Sequence, residues 1–262
     1  VRATPGRARR PSGRRTGKAA GARGRAAKPT VDAIRAHLRG LADPARAEVS
    51  RSFFKTGPGE YGEGDRFLGI RVPDLRKAAT AFQETGFREV TRLLASPIHE
   101  ERLVALLLLV RQFELSDAAG RKRVYEFYLK NTRRVNNWDL VDLSAGEIVG
   151  TYLLERSKRP LYRLARSRNL WERRIAIVAT HPSIRRGDFE PTLRVATMLL
   201  ADREDLIHKA VGWMLREVGK RDVAVLERYL REHHAEMPRT ALRYAIERFA
   251  ETKRKRYLKG TV

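Results

Sequence analysis

Helical pairs recur along this chain at an almost constant step, and that step limits its fold more than any other feature. Apolar residues fall at three- and four-residue spacing in segment after segment, as in Leu75, Ala78, Ala79 and Phe82, which puts them on one face of a helix. The pattern predicts helices beginning near Val31, Pro44, Val72, Phe87, Ile98, Asp117, Asn137, Pro160, Leu170, Phe189, Glu204, Val223, Pro238 and Glu251. The first helices of four successive pairs start near 137, 170, 204 and 237, at steps of 33, 34 and 33 residues. No alternating apolar and polar run bounded by turn signals argues for a strand, so the expected class is all-α. A fixed step of helical hairpins implies a solenoid, because one pair cannot bury its face alone and has to stack on the next. The expectation is a right-handed α-solenoid of stacked antiparallel helix pairs over residues 31–262, C-shaped, with an extended concave groove. Ala105, Ala176, Gly212 and Ala245 fall at comparable depth in their helices and would let neighbouring pairs nest. A plain helical bundle is the alternative.

Charge narrows the choice of partner. The 262 residues carry 55 Lys and Arg against 31 Asp and Glu, a net +24, while a hydrophobic content of 42% is ordinary for a folded chain. Ten of the basic residues and no acid lie in residues 1–30, among Gly, Ala, Pro, Ser and Thr, so a disordered Arg-rich arm is expected there. A transit peptide has a similar composition, but the amphipathic periodicity is missing. Residues 31–262 keep +14, so the folded part is itself basic and its groove is expected to be positive. The longest apolar run, Leu103 to Val110, is eight residues, too short to span a bilayer. Nucleic acid is therefore preferred over a membrane as the anionic partner. The absence of cysteine excludes disulfides, thiolate zinc sites and cysteine nucleophiles. The histidines, at 37, 99, 181, 208, 233 and 234, show no HExxH-like spacing, and no phosphate loop or GxSxG string is present, so no metal or cofactor is expected.

What remains for chemistry is a set of aromatic, acidic and guanidinium residues. In Asn136–Tyr152, NNWDLVDLSAGEIVGTY, a helix would put Trp138 and Asp142 on one side, a turn apart. A carboxylate beside an indole in a basic chain suits a cation that forms briefly next to a polyanion. The plainer alternative is a core tryptophan and a solvated aspartate. Asp142, Arg174 and Trp213 are separated by 32 and 39 residues, close to one repeat each, so stacking can align them across the groove. Trp171 reads as core, and Arg173 and Arg174, being adjacent, cannot both face one way. The long interruption is Thr56–Asp65, TGPGEYGEGD, a loop by its glycines and proline. Its acids either keep the loop solvated or steer DNA away from one end of the groove.

The strings NNWDLVD, LWERRIAIVAT, EDLIHKAVGWMLREVGKRD and MPRTALRYAIERF together resemble the AlkD-type DNA alkylation repair family, the HEAT-like-repeat DNA glycosylases, from about Val31 to Tyr257. The resemblance implies excision of cationic alkylated purines, such as 3-methyladenine and 7-methylguanine, from duplex DNA by hydrolysis of the N-glycosidic bond. The family's Trp and Asp of the WDxVD string fall on Trp138 and Asp142, its Arg on Arg174, and its second Trp on Trp213. On this reading Asp142 would stabilise an oxocarbenium-like sugar and orient water, with Trp138 and Trp213 packed on the nucleotide. Arg174 would hold a phosphate, and Arg173, Lys209, Arg216, Lys220 and Arg221 would contact DNA. The lesion would stay stacked in a shallow groove. Two departures stand out: Asn137, where the best-studied branch has another Trp, and the Thr56–Asp65 loop, where that branch brings its N-terminal helices closer. Phe53 and Phe54 lie nearby. The departures keep a second expectation open, a catalytically silent scaffold that binds distorted or branched DNA. The expected partner is double-stranded DNA, without membrane or metal, and the expected state is a monomer in a bacterial-type cytoplasm, associated with the nucleoid.

Overall fold

The computed structural model describes residues 28–261, so the basic arm expected over 1–30 lies almost wholly outside the described residues. The described chain is all-α. Its helices are α1 (Val31–Gly40), α2 (Pro44–Phe53), α3 (Val72–Ala81), α4 (Phe87–Leu94), α5 (His99–Leu115), α6 (Ala118–Lys130), α7 (Trp138–Asp142) and α8 (Thr151–Leu153). They continue with α9 (Arg159–Leu164), α10 (Leu170–Val178), α11 (His181–Arg185), α12 (Glu190–Met198), α13 (Asp205–Arg221), α14 (Val223–His233), α15 (Arg239–Ala245) and α16 (Glu251–Lys259). Each predicted start lies within one residue of an observed one. Side-chain caps mark several of these starts: Asp43, Asp117 and Asp222 accept bonds from backbone N–H groups of the turns they open. The one β feature among the described residues is an isolated bridge between Arg66 and Ile98. No helix among them is long and apolar enough to cross a membrane.

Helices α3, α5, α7, α10, α13 and α15 stack one on the next, and α4, α6, α9, α12 and α14 pack against their backs. The stack follows the step read in the sequence, and Ala105, Ala176, Gly212 and Ala245 are all buried within it. A methyl group on Gly212 would lie 2.4 Å from the Ala241 carbonyl oxygen, and one on Gly150 would lie 2.3 Å from that of Ala179. Glycine is what permits backbone to approach backbone at these two joints.

Asn136–Tyr152 is not one continuous helix. After α7 the chain turns at Leu143 and Ser144, then enters a π-helical turn, Gly146–Gly150, before α8. Ser144 Oγ donates 2.5 Å to the Leu140 carbonyl four residues back and lies 2.9 Å from the Tyr128 hydroxyl. A side chain bonded to its own helix's carbonyl competes with the backbone ladder and bends the helix. Trp138 and Asp142 still share one side, because both lie before the break.

Helix α5 is the centre of the first half, and Leu103–Val110 is buried throughout. A helix enclosed on all sides has no polar face, so the charges of its first turn must find partners. Glu100 accepts from the N–H groups of Leu68, Gly69 and Ile70 at 2.9, 2.7 and 3.3 Å. Glu101 pairs with Arg35 at 2.9 Å, and Arg102 reaches Asp65 at 2.7 Å. His99 Nε2 lies 2.7 Å from Asp139 Oδ2, with Nδ1 3.5 Å from Asp65 Oδ2. This turn therefore anchors the end of the Thr56–Asp65 loop to the core.

Burial pulls the His99 imidazole towards neutrality, but Asp139 and Asp65 outweigh it and hold its pKa at about 9 instead of 6.5. A histidine whose pKa is raised on folding stabilises fully below its unfolded value and loses that contribution as pH rises through the folded one. We expect roughly 3 kcal/mol of stability to disappear between pH 6.5 and about 9. Urea midpoints at the two ends of this window should differ for the natural chain and much less for His99→Gln. Equal slopes in the two proteins would assign the loss to other groups.

Candidate active site

The inner layer and the loop enclose a cavity of about 850 Å³. Its floor carries Trp138, Asp142 and Arg174, and one wall carries Lys209, Trp213 and Arg216 of α13 with Tyr244 of α15. Phe53, Lys55, Gly59, Glu60 and Tyr61 form the facing wall. The loop thus contributes to the lining of the groove. Trp138 is fixed from behind: Phe54 stacks on it at 5.4 Å and 17°, and Phe54 in turn lies 4.8 Å from His99 and 5.1 Å from Phe67. Asn137, fully buried, accepts from Trp138 N–H at 2.8 Å and donates to Asp65 Oδ2 at 3.3 Å. That departure from the family pattern is an N-cap that links α7 to the loop.

Asp142 is held from the next helix. Arg174 Nε and Nη2 donate to its two oxygens at 2.8 Å each, and Arg174 Nη1 donates to the Leu206 carbonyl. The guanidinium expected at a phosphate instead clamps the carboxylate, with side-chain exposures of 6% for Arg174 and 15% for Asp142. Burial pushes the Asp142 carboxyl above its ordinary range, against the pull of Arg174. The cavity therefore presents an oriented, partly desolvated carboxylate among aromatic side chains, with Lys55, Lys209 and Arg216 and the acids Glu60, Glu204 and Asp205 also in its lining. Such a group stabilises positive charge that forms against it more strongly than it would in water. Among the described residues no three or more His, Asp or Glu side chains gather as a metal set.

A family model described as DNA alkylation repair enzyme matches residues 34–249. The chain belongs to this family. No curated protein sequence matches it. A solved structure described as a predicted DNA alkylation repair enzyme from Enterococcus faecalis is similar to it, with a TM-score of 0.63 and 16% identity. The match covers 80% of this chain and 98% of that one, a likeness of fold. A crystal structure from Streptococcus mutans is also similar, at a TM-score of 0.48 and 15% identity, covering 84% of this chain and 99% of the other.

In this DNA alkylation repair enzyme the residues anticipated from the sequence separate into two groups. Trp138, Asp142, Arg174, Trp213, Lys209 and Arg216 line this cavity together. Arg173 does not: it pairs with Asp202 at 2.6 Å and donates to the Ser167 and Arg168 carbonyls, away from the cavity lining. Adjacent helical side chains diverge by about 100°, and with Arg174 turned inward Arg173 must turn away. Lys220 and Arg221 lie on the exposed last turn of α13, outside the cavity lining, with Lys220 2.7 Å from Glu217. Trp171 is buried, as read. Tyr61, Lys55 and Tyr244 were missed; a lone aromatic in a Gly-rich loop was the one signal for Tyr61. Two of the loop's acids, Glu60 and Glu63, stay exposed to solvent. Glu60 and Glu63 accept from the loop's own Gly57 and Gly59 N–H groups, and Asp65 is buried against Arg102.

Proposed function

We propose that this enzyme is a monofunctional DNA glycosylase that excises cationic alkylated purines, 3-methyladenine and 7-methylguanine, from duplex DNA. The observation that carries the reading is Asp142, a clamped carboxylate lining one cavity with Trp138, Trp213 and Tyr244. A purine alkylated at a ring nitrogen is already positive. Its glycosidic bond breaks with both electrons going to the base, which departs neutral and needs no acid. The sugar is left electron-poor at C1′, and water adds there with loss of a proton. Asp142 would stabilise the developing charge and receive or orient that water, while the indoles pack on the nucleotide. In place of the phosphate contact first expected, Arg174 would act as a positioning residue that keeps both carboxylate oxygens in register. Lys209, Arg216, Lys220 and Arg221 would meet backbone phosphates.

The test is base release from methylated duplex DNA at saturating protein. Free 7-methylguanine should appear well above the spontaneous rate; release at only that rate would exclude the proposal. Duplex affinity should fall steeply with salt, by about 0.9 logarithmic units per phosphate contact for each tenfold rise.

One observation favours a second reading, a silent scaffold for distorted DNA. The Asp142 carboxylate is already neutralised by Arg174 in the free protein. That reading expects tight, salt-dependent binding to branched duplexes, no base release, and indifference to substitution of Asp142.

A further inference from the structure

We infer that the Lys55–Tyr61 segment is a prebuilt wall of the substrate site and that Tyr61 is a specificity-determining contact for the positive charge of a damaged base. The inference rests on the glycosylase reading for its substrate, and extends it to a segment outside the motif residues.

The loop is held as a fixed surface. Gly62 N–H donates to the Lys55 carbonyl at 3.1 Å, Glu60 N–H to that of Gly57 at 3.1 Å, and Asp65 N–H to that of Gly62 at 3.0 Å. The Glu60 and Glu63 carboxylates close the remaining turns from within. A Cβ on Gly62 would lie 2.5 Å from the Phe54 carbonyl oxygen, so the loop sits directly on the end of α2. Lys55 has φ of 52°, a conformation that L residues adopt only when surroundings impose it. At its far end the loop is tied to α5 by the Asp65–Arg102 pair.

This segment brings Tyr61 into the lining of the cavity that Trp138, Asp142 and Trp213 also line. The ring makes a T-shaped contact with Trp171 at 6.2 Å and 74°, and burial pushes its phenol above the usual range. Glu60 of the same loop also lines the cavity, its carboxylate accepting from the Gly57 N–H, and Glu204 and Asp205 line it too, so the aromatic contact adds to acidic ones. An aromatic face attracts a delocalised cation by about 0.5 to 2 kcal/mol, the more so when both are desolvated. A neutral purine of the same shape gains only packing. Tyr61 would therefore favour the charged lesion over the normal base, in concert with the motif tryptophans on the other sides.

The experiment separates charge from shape. One duplex carries 2′-fluoro-7-methyldeoxyguanosine, whose fluorine disfavours C1′ cation formation and stops cleavage. The other carries neutral 7-deaza-7-methyldeoxyguanosine. The natural chain should bind the cationic duplex more tightly. Tyr61→Leu, which keeps bulk but loses the ring, should reduce the affinity ratio by about two- to thirty-fold, and Tyr61→Phe should preserve it. An unchanged ratio in Tyr61→Leu, with the loop intact by thermal midpoint, overturns the inference; should that variant unfold, a ratio lost in Tyr61→Phe overturns it. Base release by the natural chain is measured in parallel. Release with a Tyr61-independent ratio leaves the glycosylase standing and this inference fallen. A Tyr61-dependent ratio without release gives the reverse.

Discussion

Asp142→Asn is expected to slow release of 7-methylguanine by on the order of 10² to 10³ while leaving duplex affinity within a few-fold. The amide keeps the shape and one acceptor for Arg174, but removes the negative charge against which the C1′ cation would form. Only an interaction stronger in the transition state than in the ground state shows this pattern, a fall in rate without a matching fall in binding. Single-turnover release at saturating protein measures it, so that product departure does not mask the step. The ionised carboxylate is the working form, and burial raises its pKa from the ordinary 3.8. Release should accordingly decline on acidification at a pH above the usual carboxylate range. Release above the spontaneous rate but indifferent to this substitution would remove Asp142 from the catalytic role, and no release by either protein would move the assignment to the silent scaffold.

Arg174→Met is expected to cost about 3 to 5 kcal/mol of stability at neutral pH, because it strands a buried carboxylate without its partner. The pH dependence identifies the cause. With the guanidinium gone, the Asp142 carboxyl rises still further above its unfolded value. A carboxyl raised on folding destabilises progressively as pH climbs from the unfolded to the folded pKa. The deficit should therefore shrink on acidification, and urea midpoints across acid to neutral pH would trace it. The double variant Arg174→Met with Asp142→Leu should recover much of the loss, since neither charge remains. A deficit equal at every pH, and not relieved by the second change, would trace to lost packing of the arginine stem.

The helical stack was readable because its signals are local. Apolar spacing and caps such as Asp43, Asp117 and Asp222 mark helix starts without knowledge of anything distant. The alignment of Asp142, Arg174 and Trp213 was also accessible, since stacking turns a sequence step into a spatial column. Contacts made across the fold were not. Phe54 on Trp138, Asn137 on Asp65 and Tyr61 on Trp171 join residues far apart in sequence, and spacing carries no trace of them. The charge on Arg174 was visible, but its bonds to Asp142 on another helix were not. One indication went unused: His99, Glu100, Glu101 and Arg102 stand directly before an uninterrupted apolar run. A helix with nowhere to expose charge has to bury it in pairs, and those pairs carry the loop that forms the cavity's third side.

The two glycine joints have a bearing on chemistry that neither touches. Gly150 and Gly212 set how closely one helical hairpin seats on the next, and so the radius of the arc along which carboxylate and indole are spaced. A single methyl group at Gly212 would act as a shim, prising α13 from α15 and shifting Trp213 relative to Asp142. Displacement of about 1 Å is enough to cost 10²-fold in a reaction that depends on placement. The calibration of this catalyst is therefore written in residues that have no side chain at all.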